Sequence, residues 1–473
     1  MNDESKAEKV RSLYTNPRVM VIALDAMLIM LGFGIVSPSM SFYLIALEGG
    51  LDQPPGPDYI VPAEVVAQFS LVLGMMMAAF MATRTLLARY WGNASDVHGR
   101  KPIMMLGLGG YVLLLVLFGL AQDWIQMLLI RAFQGVVSAM VWPVAEASLM
   151  DIVGQDRRGE GLGLYMVVSN TGYIIGPGVG GFLYNFCRDF LMLPVPAVFR
   201  VPYFIGAVIA LPAVIMTAVV LKETAPGKTT LSKEHERSVA TETKGDNILD
   251  TELEQMNPKR RRMIHAIYVM ALMNGFAMGL GQPIFQLFLM SKITSDIGLI
   301  GLIISGAGAV GMLFSLPAGR YADSHGRKSI AVGGALASRG SFFVLPLTTT
   351  IPETSLVWIA QGASMSASQP ALRALQADLV PWNLRGKLFG TIQAFFNAGA
   401  TVGPLLGGTL YGVFSLMIFA IGPIIIEGLV IPFWLAGASG VLGAILLWRY
   451  VEETQPMKVV RVEDEREAVS DLT

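Results

Sequence analysis

Charge is what this chain has least of. Asp, Glu, Lys and Arg together make up 15% of its 473 residues, where a soluble domain carries about a quarter. That deficit excludes an ordinary soluble protein. Cysteine is nearly absent as well: Cys187 stands alone, so no internal disulfide can form and the redox compartment cannot be read. Cys187 is expected to be an ordinary small residue near the outer surface. Metal ligands are also lacking, since His98 and His325 fall in short loops and His265 near an interface. There is no nucleotide-binding glycine loop, metal-ligand cluster or nucleophile–base pair, so neither an enzyme nor a cofactor is expected. The net charge of −1 identifies no partner, and nucleic acid is not expected to be one. The 18 polar residues that open the chain contain acids and no short apolar core, which speaks against a cleaved signal peptide.

What the chain has in excess is apolar length. It is 53% hydrophobic, with 51 Gly and 27 Met. Runs of about 20 apolar residues, enough to cross a ~30 Å hydrocarbon core as helices, recur throughout. Spans are predicted near 19–44, 64–88, 102–121, 124–153, 161–184, 201–222, 263–289, 297–318, 329–347, 354–380, 386–412 and 431–450. Short loops retain Lys and Arg on the cytoplasmic side. With a cytoplasmic N-terminus, the outer connections hold only Arg188, Arg200 and Lys292, while "NPKRRR" (257–262), Arg100, Lys101, Arg327 and Lys328 lie inside. Both termini are therefore expected inside, in a multi-pass protein of the plasma or inner membrane. The fold class is an all-α membrane protein of twelve transmembrane helices.

The chain also repeats itself. "GNASDVHGRK" (92–101) matches "GRYADSHGRK" (319–328) at an offset of 227, which also carries Gln134-Gly135 onto Gln361-Gly362, Pro143 onto Pro370 and Asp151 onto Asp378. The same register superposes "GLYMVVSNTGYIIGPGVGG" on "GTIQAFFNAGATVGPLLGG". Separated matches in one register imply duplication. The implied organisation is a six-helix half (1–222), a charged cytoplasmic linker (223–262), a second six-helix half (263–450) and a cytoplasmic tail (451–473). The first and seventh spans align only at an offset of 245, through "GIVSP" and "GLGQP". The first outer loop is correspondingly longer, and its insertion, "LDQPPGPDYIVPAE", reads as an irregular lid.

In the polar loops, Gly92 and Gly319 are expected to end their helices and allow tight reversals. Asp96 and Asp323, followed by Gly99-Arg100 and Gly326-Arg327, can accept hydrogen bonds from a helix N-terminus or latch one half to the other. Glu146 and Arg373 occupy equivalent places in the two halves and can pair across the interface. In the fifth span Gly163, Gly172, Gly176, Pro177, Gly180 and Gly181 give a kinked surface of small residues that admits a close neighbour.

Two parallel six-helix halves with these loops resemble the major facilitator superfamily over essentially the whole chain. The resemblance implies substrate binding near the midplane between halves and alternating exposure by rocking. Val97 and Ser324 stand where the family's loop has Arg. The fifth-span pattern is similar to the antiporter signature of the drug:proton branch, and the eleventh span repeats it at Gly390, Gly399, Gly403, Pro404, Gly407 and Gly408. "ALDA" in the first span is similar to tetracycline efflux proteins, and "LLIRAFQGVVSA" to the family's fourth-span signature, whose Arg is implicated in proton transfer.

Ionisable residues at membrane depth are functional candidates. Asp25 lies seven residues past Arg18, ~10 Å deep, and is the candidate proton site. Arg84 matches it in depth and is expected to pair with it, while Arg131 would act through the helix 1 backbone, water or substrate. Arg339, near the midplane, either binds an anionic group or reaches polar groups of its own half. Asn170, Asn274, Gln282, Gln286, Gln393 and Asn397 are candidate cavity residues, with Tyr165, Phe395 and Phe396 as apolar contacts. The expected function is secondary active transport, proton-coupled export of amphipathic small molecules by a monomer drawing on the proton gradient. A transporter of organic anions or nutrients is the alternative, and a transport-inactive sensor or scaffold a third reading.

Overall fold

The computed structural model describes residues 13–154, 157–225, 257–380, 384–421 and 423–454. Among them twelve long helices run up and down: α1 (Pro17–Val36), α2 (Ala63–His98), α3 (Arg100–Leu120), α4 (Trp124–Val153), α5 (Arg158–Asp189), α6 (Ala197–Val220), α7 (Pro258–Phe288), α8 (Ile297–His325), α9 (Arg327–Val344), α10 (Ile351–Asp378), α11 (Arg385–Phe414) and α12 (Val430–Tyr450). The chain is an all-α membrane protein of two six-helix halves. Nine of these helices are apolar enough throughout an 18-residue window to cross a membrane. The other three are α5, α10 and α11; of these α5 packs across the interface on α8 and α11 on α2, while α10 packs on α8 and α9 of its own half. Most of the predicted linker and tail, and the Asp323 side chain, lie outside the described residues.

Twelve alternating helices leave the start of α1 and the end of α12 on one face, called here the terminal face; the opposite one is the far face. The predicted first span runs through a break. α1 ends at Val36, Ser37 caps it by donating to the Gly34 carbonyl, and a short helix, Met40–Leu47, follows. The apolar stretch before α12 forms a hairpin on the far face, β1 (Ile418–Ile421) antiparallel to β2 (Ile424–Glu427), with Phe419 opposite Ile426.

The polar loops differ from expectation. Gly92 and Gly319 lie inside helices, because α2 and α8 continue to His98 and His325. The reversals occur at Gly99 (φ 103°) and Gly326 (φ 108°), a backbone region open to glycine and costly for residues with a Cβ. The anion at each following helix start is not the expected aspartate. Glu223, just past α6, accepts the Arg100 N–H at 2.8 Å. Glu453, just past α12, accepts Arg327 N–H at 2.9 Å and Lys328 N–H at 2.8 Å. Each carboxylate satisfies orphan donors and complements the helix dipole. The cations then turn sideways: Arg100 bridges to Asp151 at 2.8 Å and more loosely to Asp96 at 3.4 Å. Arg327 bridges to Asp378 at 2.6 Å. Each half is thereby stitched on its terminal face by the same Arg–Asp and Glu–helix pattern.

Candidate functional site

The two halves meet tightly on the far face. Val61 donates its N–H to the Met290 carbonyl (3.1 Å) and to Ser295 Oγ (3.2 Å). Gly178 N–H donates to Ser305 Oγ at 2.8 Å, Asn185 to Asp296 at 3.2 Å, and Ser70 Oγ to the Gly408 carbonyl at 2.8 Å. Small residues make this closeness possible. A Cβ on Gly181 would stand 2.7 Å from the Ile297 carbonyl oxygen and 2.8 Å from Gly298 Cα.

The glycine motifs divide along the membrane normal. Gly172, Gly176 and Gly180 of α5 lie against α1 at Met27, Leu31, Gly34 and Ile35, and Gly399 and Gly403 of α11 lie against α7 at Leu272, Phe276 and Gly279. Pro177 and Pro404 sit within these packed stretches. Toward the terminal face, a Cβ on Gly163 or Gly390 would meet no atom within 4 Å. Glu146 of α4 lies in the fields of Arg84 and of Arg373 across the interface, yet forms no ion pair among the described residues. Among the described residues the halves are therefore tightly joined on the far face, whereas open space lies beside α5 and α11 toward the terminal face, where Glu146 and Arg373 are within electrostatic reach of each other.

Asp25 is fully buried. α1 packs it against α6, where Thr217 Oγ1 donates to its Oδ2, while Oδ1 has no partner. The expected pair with Arg84 does not form. Depth along the membrane normal placed the two together, but α6, rather than α2, covers this face of α1. Thr217, a lone hydroxyl in the apolar run "PAVIMTAVV", was the available signal. Of the routes expected for Arg131, the α1 backbone is not the one it takes. Its guanidinium donates to Gln134 Oε1 at 2.5 Å and Met77 Sδ at 3.2 Å, and lies 5.0 Å from the Phe80 ring centre. It is held by its own helix and α2, not by the α1 backbone, and its Nε remains unpaired.

The second half has no matching carboxylate. Arg339 of α9 is buried and donates to Asn274 Oδ1 of α7 at 3.4 Å, so it reaches a polar group of its own half, and Asn274 becomes its partner. Its stem passes over Gly440 of α12, where a Cβ would lie 2.5 Å from Cγ and Cδ; its Nη1 is unpaired.

The remaining candidates separate into two groups. Asn170 and Gln393 are exposed on the α5 and α11 segments near this open space; Gln393 donates to Asn397 at 2.8 Å, and Phe395 stacks on Tyr268 at 5.2 Å. Phe396 lies against Gly275 of α7, and Tyr165 is buried with an unpaired hydroxyl. Gln282 reaches Tyr173 of the first half at 3.5 Å. Gln286 belongs elsewhere. Its Oε1 accepts from Ser41 and its Nε2 donates to the Ser37 carbonyl, both at 3.0 Å, so its amide is consumed in the far-face junction.

The sequence matches the description "Major Facilitator Superfamily" over residues 22–262 and 267–472. It is 27% identical to Multidrug resistance protein 2 of Bacillus subtilis (strain 168) over 348 residues, covering 72% of this chain and 80% of the relative. It is 22% identical to the Quinolone resistance protein NorA of Staphylococcus aureus (strain COL) over 399 residues, covering 84% and 91%. The fold is shared with the D-xylose-proton symporter, TM-score 0.67 at 13% identity, covering 93% of this chain and 98% of that one.

Proposed function

The chain belongs to the Major Facilitator Superfamily, a family of secondary active transporters, and from that premise we propose that it exports amphipathic small molecules in exchange for protons. The carrying observation is Asp25. A fully buried carboxylate with one hydroxyl donor, one unpaired oxygen and no cationic partner among the described residues reaches charge balance by taking up a proton. The multidrug and quinolone resistance of the relatives supports the substrate class.

In this reading the terminal face is cytoplasmic, with residues 223–262 as the linker and 451–473 as the tail. The protein acts as a monomer in the plasma or inner membrane, without a cofactor. Substrate enters from the cytoplasm between α5 and α11, meeting Asn170, Gln393, Asn397 and Phe395. Glu146 and Arg373 approach as the cytoplasmic side closes, and the far-face junction of Gln286, Ser70 and Gly181 opens to release substrate. Asp25, loaded with a proton from outside, discharges it inside on return. Arg84 and Arg131, on α2 and α4 of the same half, are the further candidates for coupling the proton to substrate. At the cytoplasmic ends of the halves, Gly92 and Asp96 of α2, Gly319 and Asp323 of α8, the reversals at Gly99 and Gly326, and Arg100 and Arg327 at the starts of α3 and α9 hold each half rigid during rocking.

A second reading rests on the unpaired guanidinium nitrogens of Arg131 and Arg339, which suit an organic anion. Vesicles carrying an internal pH dye distinguish the two. Drug-evoked proton flux in wild type and none in Asp25→Asn supports the exporter; carboxylate movement without proton flux, equal in both, supports the second reading.

A further inference from the structure

A groove of about 460 Å³ lies between the terminal-face ends of α7 and α12, and most of its lining side chains, Arg261, Arg262, His265, Val269 and Tyr450 among them, are exposed. It is built from two facing stripes. Arg261, Arg262, His265 and Val269 follow helical spacing on α7, and Leu446 and Tyr450 lie one turn apart on α12. Its volume falls within the ~300–1,000 Å³ of small-molecule sites, and its chemistry is graded along the membrane normal. The end nearest the terminal face holds two guanidinium groups and an imidazole. From Arg261 to Val269 the stripe rises ~12 Å at 1.5 Å per residue and ends on aliphatic side chains.

The polar end is assembled and unneutralised by its own lining. His265 is fixed to the Arg261 carbonyl through Nδ1 at 2.8 Å, leaving Nε2 as its remaining hydrogen-bonding atom. No acid lines the groove. The nearby acids are engaged elsewhere: Glu452 lies 3.9 Å from Lys259, and Glu453 caps α9. Nor does the fold require the cations. The equivalent positions of the first half, at the offset of 245 that relates α7 to α1, hold Asn16, Pro17, Met20 and Leu24.

We infer that this groove binds one anionic glycerophospholipid of the leaflet at the terminal face. Arg261, Arg262 and His265 receive the phosphate, and an acyl chain lies along Val269 and Leu446. Basic recesses at helix ends are suited to anionic headgroups, guanidinium forks match phosphate oxygens, and an acyl chain accounts for the aliphatic end, which a free anion leaves unused.

The test is native mass spectrometry of the full chain in detergent with equimolar phosphatidylglycerol and phosphatidylcholine. Wild type retains one phosphatidylglycerol with at least tenfold preference. The preference falls at least fivefold in Arg261→Gln/Arg262→Gln, and equally in Val269→Trp, which fills the apolar end and leaves every cation in place. All three side chains are exposed, and unchanged melting of the lipid-free variants verifies the fold. Undiminished binding by Val269→Trp would overturn the inference in favour of diffuse surface charge. Competition by excess inorganic phosphate would overturn it in favour of a free anion. It would equally fall if wild type bound no lipid while the chain's own acidic tail (Glu463, Asp464, Glu465, Glu467) shielded Val269→Cys from maleimide.

Discussion

Gly181→Ala should push the two halves apart on the far face. The added methyl would stand 2.7 Å from the Ile297 carbonyl oxygen and 2.8 Å from Gly298 Cα, both backbone atoms that no side-chain rotation can remove. Reaching ordinary contact requires about half an ångström of separation between α5 and α8. Overpacking of this kind costs about 1–3 kcal/mol. The cost falls only on the state in which these helices touch, whereas the gain in helix propensity of about 1 kcal/mol is common to both states and cancels. The equilibrium between far-face-closed and far-face-open forms should therefore shift by roughly 5- to 150-fold toward open. Spin labels at Val97→Cys and Ser324→Cys, on the terminal-face ends of α2 and α8, read this directly in a Cys187→Ser background. Wild type should give mainly the longer distance, and Gly181→Ala a dominant shorter one. Gly333→Ala, at a position with no atom within 4 Å, should leave the distribution alone. An unchanged distribution in a folded Gly181→Ala protein would refute the reasoning.

Further outcomes follow from the same geometry. Glu223→Gln and Glu453→Gln each weaken a charged helix cap and should each lower stability by about 1 kcal/mol, read as reduced melting temperature in detergent, the two effects adding because they lie in different halves. Gly440→Ala crowds the Arg339 stem and should destabilise by about 1–3 kcal/mol; in a double-mutant cycle with Arg339→Met the two should be strongly non-additive, and simple additivity would mean that Gly440 does not hold Arg339. Glu146→Gln should slow exchange without lowering substrate affinity in binding assays, because Glu146 contributes to closing the terminal face.

The helices, the duplication and the family were legible because they depend on apolar length and repeated glycine spacing, which a sequence carries directly. Helix ends were not. Polarity suggested that α2 stops near Gly92, yet "GNASDVH" continues as helix beyond the apolar core, since water can satisfy an exposed turn and the break waits for Gly99. The caps at Glu223 and Glu453 were hidden because they come from the far end of each half, although "KET" and "EET" (222–224 and 452–454) repeat at an offset of 230. The candidate site was legible in its residue types and not in its partners. Reasoning from depth fixes height in the membrane and leaves rotation about the helix axis open. Hence depth pairs Asp25 with Arg84 although Thr217 is what faces it, and Gln286, on the same face as Gln282 but one helical turn nearer the far face, falls in the junction instead of the cavity.

The most direct test compares two assays on one variant. Vesicles containing Asp25→Asn should still exchange labelled for unlabelled drug, since the path between the halves is intact, while losing uphill accumulation driven by an imposed pH gradient. Uphill accumulation at the wild-type level in Asp25→Asn would contradict proton coupling at Asp25.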